Sequence, residues 1–226
     1  MARGWRALRF FIAAAALGSL ALSARDATAD PPEADAARLS AAGHSLKWNW
    51  VPPGKSERCG HAENLIAAPL SAVRAVVTDF PHYKDLVPSK FHNAHVIGKE
   101  NGSTDLYMQV PVLHGMLTLW DVARFAPLRQ VGGAEVLEGN LVKGNIRAMN
   151  LMITMRPLGE RWTLIKLDML LLPNIPAPQS AIDEELRDAA LQAVDAIHDR
   201  AQGNQQWLRW SPDATANAAE PQCGGS

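Results

Sequence analysis

Between Phe91 and Pro173 the chain runs through short segments of alternating apolar and polar residues separated by turn signals, and from Ser180 it carries one long helical stripe. Few architectures accommodate both. Asn93 to Lys99 reads as a strand, Asn101-Gly102-Ser103 as a hairpin turn, and Asp105 to Val112 as a second strand whose Leu106, Met108, Val110 and Val112 point one way. His114-Gly115 makes the next turn, Met116 to Phe125 the next strand, and Arg129 to Gly133 a further reversal. Ala134 to Leu141 pairs with Gly144 to Arg156, where Arg147, Met149, Leu151, Ile153 and Met155 share a face. In the last strand, Arg161 to Leu172, Thr163, Ile165, Leu167, Met169 and Leu171 form the apolar face and Leu164, Lys166 and Asp168 the mixed one. Six or seven antiparallel strands in succession predict one strongly curved sheet. Pro173 to Pro178 interrupts the pattern, and Ser180 with Asp183 suggests a capping box. Ile182, Leu186, Ala189, Ala190, Ala193, Val194 and Ile197 then recur at helical spacing, giving a stripe small enough for a sheet to approach closely. The expected fold is therefore α+β, a curved antiparallel sheet wrapped around a long C-terminal helix.

Upstream, Glu63 to Pro88 reads as an apolar strand, a short helix begun at Pro69 with Val73, Val76 and Val77 in one stripe, a break at Phe80-Pro81, and a second helical turn. Ile66, Ala68, Pro69 and Val73, then Asp79, Phe80, Tyr83 and Pro88, resemble the opening motifs of the START-like superfamily, which includes polyketide cyclases/dehydrases and coenzyme Q-binding START domains. Leu137-Glu138-Gly139-Asn140-Leu141 and Arg161-Trp162-Thr163-Leu164-Ile165 are similar to later family segments, although Leu141 stands where an aromatic is usual. The resemblance spans residues 59–202. It implies a helix-grip fold with two short helices after the first strand, and a hydrophobic cavity between sheet and helix. It does not imply one function, because this scaffold hosts carriers, cyclases and regulators.

Residues 1–29 have the form of a signal peptide: Arg3, Arg6 and Arg9, an apolar core from Phe10 to Leu22, and Ala27-Thr28-Ala29 as small residues for cleavage. The expectation is export, to a periplasm or beyond the cell. Its removal would take four of 22 basic and one of 23 acidic residues, leaving 18 against 22. Such a mildly acidic chain lacks the footprint of a nucleic-acid binder. Residues 30–44 read as a flexible tether, 45–210 as the ligand-binding domain, and 211–226 as a disordered tail. Leu46 to Val51 and the strand after Pro52-Pro53-Gly54 form a hairpin with Trp48 and Trp50 on one face, either as an aromatic lip for a ligand or as cover for a sheet edge. Cys59 and Cys223 are the only cysteines; in an exported chain they are candidates for a bridge, worth up to about 5 kcal/mol.

For the site, Met108, Met149, Met155 and Met169, with Val110, Leu151, Ile165 and Leu167, offer flexible apolar walls suited to a long hydrocarbon, or ordinary core. Phe80, Tyr83 and Trp120 could add an aromatic wall, and Arg147 either a headgroup contact at the mouth or a side chain reaching solvent from a strand end. His92 and His95 fall on opposite strand faces, no inward carboxylate pair stands out, and no nucleophile, Walker or dinucleotide motif occurs, so no catalytic residue, metal or cofactor is assigned. The leading expectation is a monomeric binder of a quinone, isoprenoid or other lipid with transient membrane contact. The alternatives are a cyclase/dehydrase-like enzyme and a protein-interaction module. Pro173 to Pro178, flanking the last helix, is the expected gate.

Overall fold

The computed structural model describes residues 32–54, 56–87, 90–112, 115 and 117–203. The expected signal peptide, the tail, Trp207, Trp210 and Cys223 lie outside them, as do Pro88, His114 and Met116. The first element is a helix, α1 (Pro32–Ala42), followed by an arm, β1 (Leu46–Trp50), antiparallel to β2 (Cys59–Ile66). Two short helices come next, α2 (Leu70–Val77) and α3 (Tyr83–Leu86), with a helical turn at Phe80–His82 between them. Then follow β3 (Asn93–Glu100), β4 (Ser103–Val112), β5 (Leu117–Phe125), β6 (Arg129–Val131), β7 (Ala134–Gly144), β8 (Ile146–Leu158) and β9 (Trp162–Pro173). The last element among the described residues is a helix, α4 (Gln179–Gln202).

All pairings are antiparallel, in the order β1-β2-β9-β8-β7-β5-β4-β3, with β6 beside β7. This is the α+β helix-grip arrangement, a single sheet whose concave face holds α4. The β3–β4 hairpin closes where Asn101 and Gly102 both take positive φ, 50° and 78°, the mirror-image turn that matches strand twist. At Gly60 the helix comes closest: a Cβ there would lie 2.4 Å from the Leu186 carbonyl carbon and oxygen. Only glycine lets α4 seat this deeply on β2.

The concave face and α4 enclose the main core, in which Ile66, Val73, Val77, Leu106, Ala123, Met155, Ile165, Leu167, Ala190 and Val194 are sealed from solvent. Arg74 of α2 reaches the buried Glu135 of β7 in a paired ion bridge, Nε to Oε2 at 2.6 Å and Nη2 to Oε1 at 2.5 Å, which fixes α2 over the sheet. Ser180 does not cap α4. The helix starts one residue earlier, behind Pro178, and Asp183 instead accepts from Gln179 Nε2 at 2.8 Å and Arg58 Nη1 at 3.1 Å.

Residues 32–42 are not the flexible tether expected from composition. Ala, Glu and Leu favour helix, Pro32 suits the first helical position, and only one narrow stripe needs burying. That stripe, Ala36 and Leu39, packs with Leu65, Leu158, Trp162 and Leu164 in a second core on the outer face of the sheet. A short helix gains its stability from this docking rather than from propensity alone.

Candidate functional site

Register decides which side chains face α4. Met108 is opposite Asp121 and Leu106 opposite Ala123 across β4 and β5. Ala123 is opposite Leu141 and Asp121 opposite Gly144 across β5 and β7. Further along, Leu151 is opposite Met169, and Met149 opposite Leu171, across β8 and β9. One end of this concave face is closed: Phe80, Tyr83 and Phe125 stack with ring centroids 4.9 to 6.0 Å apart, in the same buried core as Met155, Ile165 and Leu167. Away from that end, Met108, Val110, Val112, Leu117, Leu141, Leu151, Met169 and Leu171 are only half-buried, although all point to the same side. They form an apolar band that is incompletely covered.

Asp121 sits in this band. It is 4% exposed, between the buried Leu119 and Ala123, and its Oδ2 has no hydrogen-bond partner among the described residues. Burial alone, with no neighbouring cation to offset it, pushes its carboxyl up to about 7. Gly144 makes the position possible, because a Cβ there would lie 2.5 Å from the Trp120 carbonyl oxygen and 3.0 Å from Asp121 Cα and Cβ. The bulge between Val122 and Ala123 carries Gly144 into that place.

The sequence-predicted residues separate into three groups. Met108, Val110, Leu151 and Met169 line the band and the buried Met149 adjoins it on the same face, while Met155, Ile165 and Leu167 are fully buried as core. Phe80 and Tyr83 are also core, and the Tyr83 hydroxyl donates to the Val77 carbonyl instead of facing a ligand. Desolvation raises that phenol well above its ordinary value. Trp120 and Arg147 do not join the band. Trp120 is opposite Gln109 on the outer face, 6.2 Å from the Tyr107 ring. Arg147 falls on the bulge between Ile146 and Ala148, where Ile146 takes the inward place and the arginine is exposed. Asp121 was the residue missed; Leu117, Leu119, Asp121, Ala123 and Phe125 alternate strictly, and that period places it inward.

A second polar cluster lies on the opposite face, under α1. His61 Nδ1 is 2.7 Å from Asp168 Oδ1, which also accepts from Trp50 Nε1 at 2.6 Å. Trp48 lies over the imidazole at 4.2 Å between ring centroids. Glu63, 1% exposed, pairs with Arg38 of α1, and Lys166 donates to Asp35 of α1 at 2.5 Å. Trp48 and Trp50 thus share a face, as expected, and cover this cluster rather than forming a lip on the concave side. Burial opposes the charge on His61, but hydrogen bonds to Asp168 and Glu63 outweigh it and hold the imidazole above its usual value. Burial likewise works against Glu63 and Asp35, yet their cationic partners, with His61 beside Glu63, keep both carboxyls below the ordinary range.

Other features carry less. A groove of about 620 Å³ between α3 and α4, edged by Asp85, Asp195, Asp199 and Arg200, is polar and open, and is separate from the band. His92 and His95 are both exposed, and no metal-binding group of histidine, cysteine and carboxylate side chains occurs among the described residues. No helix among them is long and apolar enough to cross a membrane. Cys59 is buried in β2, and the bridge expected to Cys223 falls outside the described residues.

No protein-family model and no curated protein matches the sequence. Solved structures do match. A STAR-related lipid transfer protein from Xanthomonas axonopodis has a TM-score of 0.59 at 13% identity, covering 70% of this chain and 93% of that one. Human STARD10 has 0.58 at 9% identity, over 78% and 82%. A START superfamily protein from Mycobacterium smegmatis has 0.53 at 16% identity, over 62% and 94%. At these identities the likeness establishes the fold, which is START-like.

Proposed function

With a START-like fold as its frame, we propose that this protein reversibly binds a hydrophobic small molecule between the concave face of the sheet and α4, with a quinone or other isoprenoid lipid as the leading class. The observation that carries the reading is the half-buried band from Met108 to Leu171, an apolar surface left incompletely covered in the interior-facing half of the fold. Sheltering a hydrocarbon there gains about 0.8 kcal/mol per methylene. That the Xanthomonas axonopodis neighbour is a STAR-related lipid transfer protein supports the same class.

From the signal-like residues 1–29 we further propose that binding takes place in the periplasm or outside the cell, with transient membrane contact for loading and Pro173 to Pro178, beside α4, as the gate. We take the working form to be a monomer. An enzyme of the cyclase/dehydrase type would need a second acid or base beside Asp121, and among the described residues the band supplies apolar neighbours only. The test is native mass spectrometry of the exported protein followed by organic extraction. A stoichiometric apolar compound is expected. A chain that remains empty after incubation with total membrane lipid overturns the reading.

A further inference from the structure

We propose that Asp121 is the polar anchor of the apolar band, and that it selects a ligand carrying a neutral carbonyl or hydroxyl oxygen within an otherwise hydrocarbon body. This rests on the ligand-binding reading above. A buried carboxyl without a partner is costly to the empty protein, and native folds rarely keep one unless something else meets it. Asp121 is such a group, at 4% exposure with Oδ2 unpartnered among the described residues, on a face otherwise built of Met108, Leu119, Ala123 and Leu141.

The surroundings choose among ligand classes. An anionic headgroup would meet a carboxyl with no cation to offset it: Arg124, the nearest charged residue along β5, pairs with Asp105 at 2.7 Å and is exposed, and Lys143 is exposed opposite Val122 on the other face. From β4 and β7 the residues opposite are Met108 and Gly144, and α4 presents Ala190, Val194 and Ile197 to the core. The buried polar residues of α4 lie near its ends: Asp183, which pairs with Arg58, in the first turns, and His198, whose Nδ1 is 2.9 Å from Asp199 Oδ1, with Gln202 in the last. An ammonium would find the carboxylate, but its remaining hydrogens would face side chains that accept nothing. A neutral oxygen needs one donor. The protonated acid, favoured by burial, supplies it.

The experiment compares dodecanone, dodecylamine and dodecanoate by titration calorimetry, and dodecane by competition, on the mature protein and on Asp121→Asn and Asp121→Leu. The expected result is dodecanone bound about five- to tenfold more tightly than dodecane, in line with one buried hydrogen bond. That preference should weaken as pH rises through about 7, lose its pH dependence in Asp121→Asn, and vanish in Asp121→Leu while dodecane still binds. Equal binding of dodecanone and dodecane, or tightest binding of dodecanoate or dodecylamine, overturns the anchor and leaves the hydrophobic site standing. Failure of all four probes overturns both.

Discussion

Asp121 and Gly144 face each other across β5 and β7 so closely that a Cβ on the glycine would lie 3.0 Å from the aspartate Cα and Cβ. The strand pairing therefore presses a carboxyl into an apolar face. The consequences can be measured without knowing the ligand.

The first concerns pH. Burial pushes the folded-state carboxyl of Asp121 up to about 7, well above an unfolded aspartate, so between the two values the folded state holds a proton that the unfolded chain has released. Stability from this group is unaffected in strong acid and falls as pH rises from about 4 through about 7. Asp121→Asn should remove that fall, and the variant should gain on the parent by a few kcal/mol between those limits in urea unfolding. Parallel pH profiles would contradict the burial of an unpaired acid.

His61 also makes stability fall as pH rises, but as a stabilisation that is lost rather than a cost that is incurred. Its imidazolium is favoured in the fold, so the stabilisation is complete below the unfolded value of about 6.5 and disappears as pH rises through the raised folded value. His61→Gln should lose more stability at pH 5 than at pH 9, read as the shift in thermal midpoint against the parent. A uniform shift at both would show that packing against Trp48, and not charge, is what the histidine supplies.

Leu39 tests whether the N-terminal helix is part of the domain. It is 3% exposed against Leu65 and Trp162, so Leu39→Ala should cost about 2 to 3 kcal/mol in urea unfolding. A freely moving tether would give no change.

Gly60→Ala addresses the grip itself. The added methyl would meet the backbone of Leu186 and Arg187 at 2.4 and 2.7 Å, and backbone cannot rotate away. A loss of about 3 kcal/mol or more is expected, with hydrogen exchange accelerated along α4 ahead of the sheet. Unchanged protection of α4 would refute the close approach.

Much of the architecture was readable because period-2 alternation and turn residues are local signals. Asn101-Gly102 closed its hairpin, and Ile165, Leu167 and Met169 turned inward while Lys166 and Asp168 turned out, as the pattern required. The failures were of two kinds. Bulges reset the period: one extra residue near Ile146 moved Arg147 out of the band, and no composition rule announces it. Tertiary docking overrode composition: α1 looks solvated until Arg38 and Asp35 find Glu63 and Lys166 on β2 and β9. Asp121 was legible in principle, since its strand alternates without interruption. A search for acid pairs passes over a carboxyl whose significance lies in having no partner.

The location of the ligand is the central claim, and methionine methyl NMR tests it directly. Met108, Met149 and Met169 point to the concave face, whereas Met152, opposite Glu138 and Asp168, points to the outer one. On titration with dodecanone, the methyl resonances of Met108, Met149 and Met169 should shift together and saturate while that of Met152 stays in place. A shift of Met152 alone, or saturable binding that leaves the three inward methyls unmoved, would place the ligand elsewhere and contradict the account.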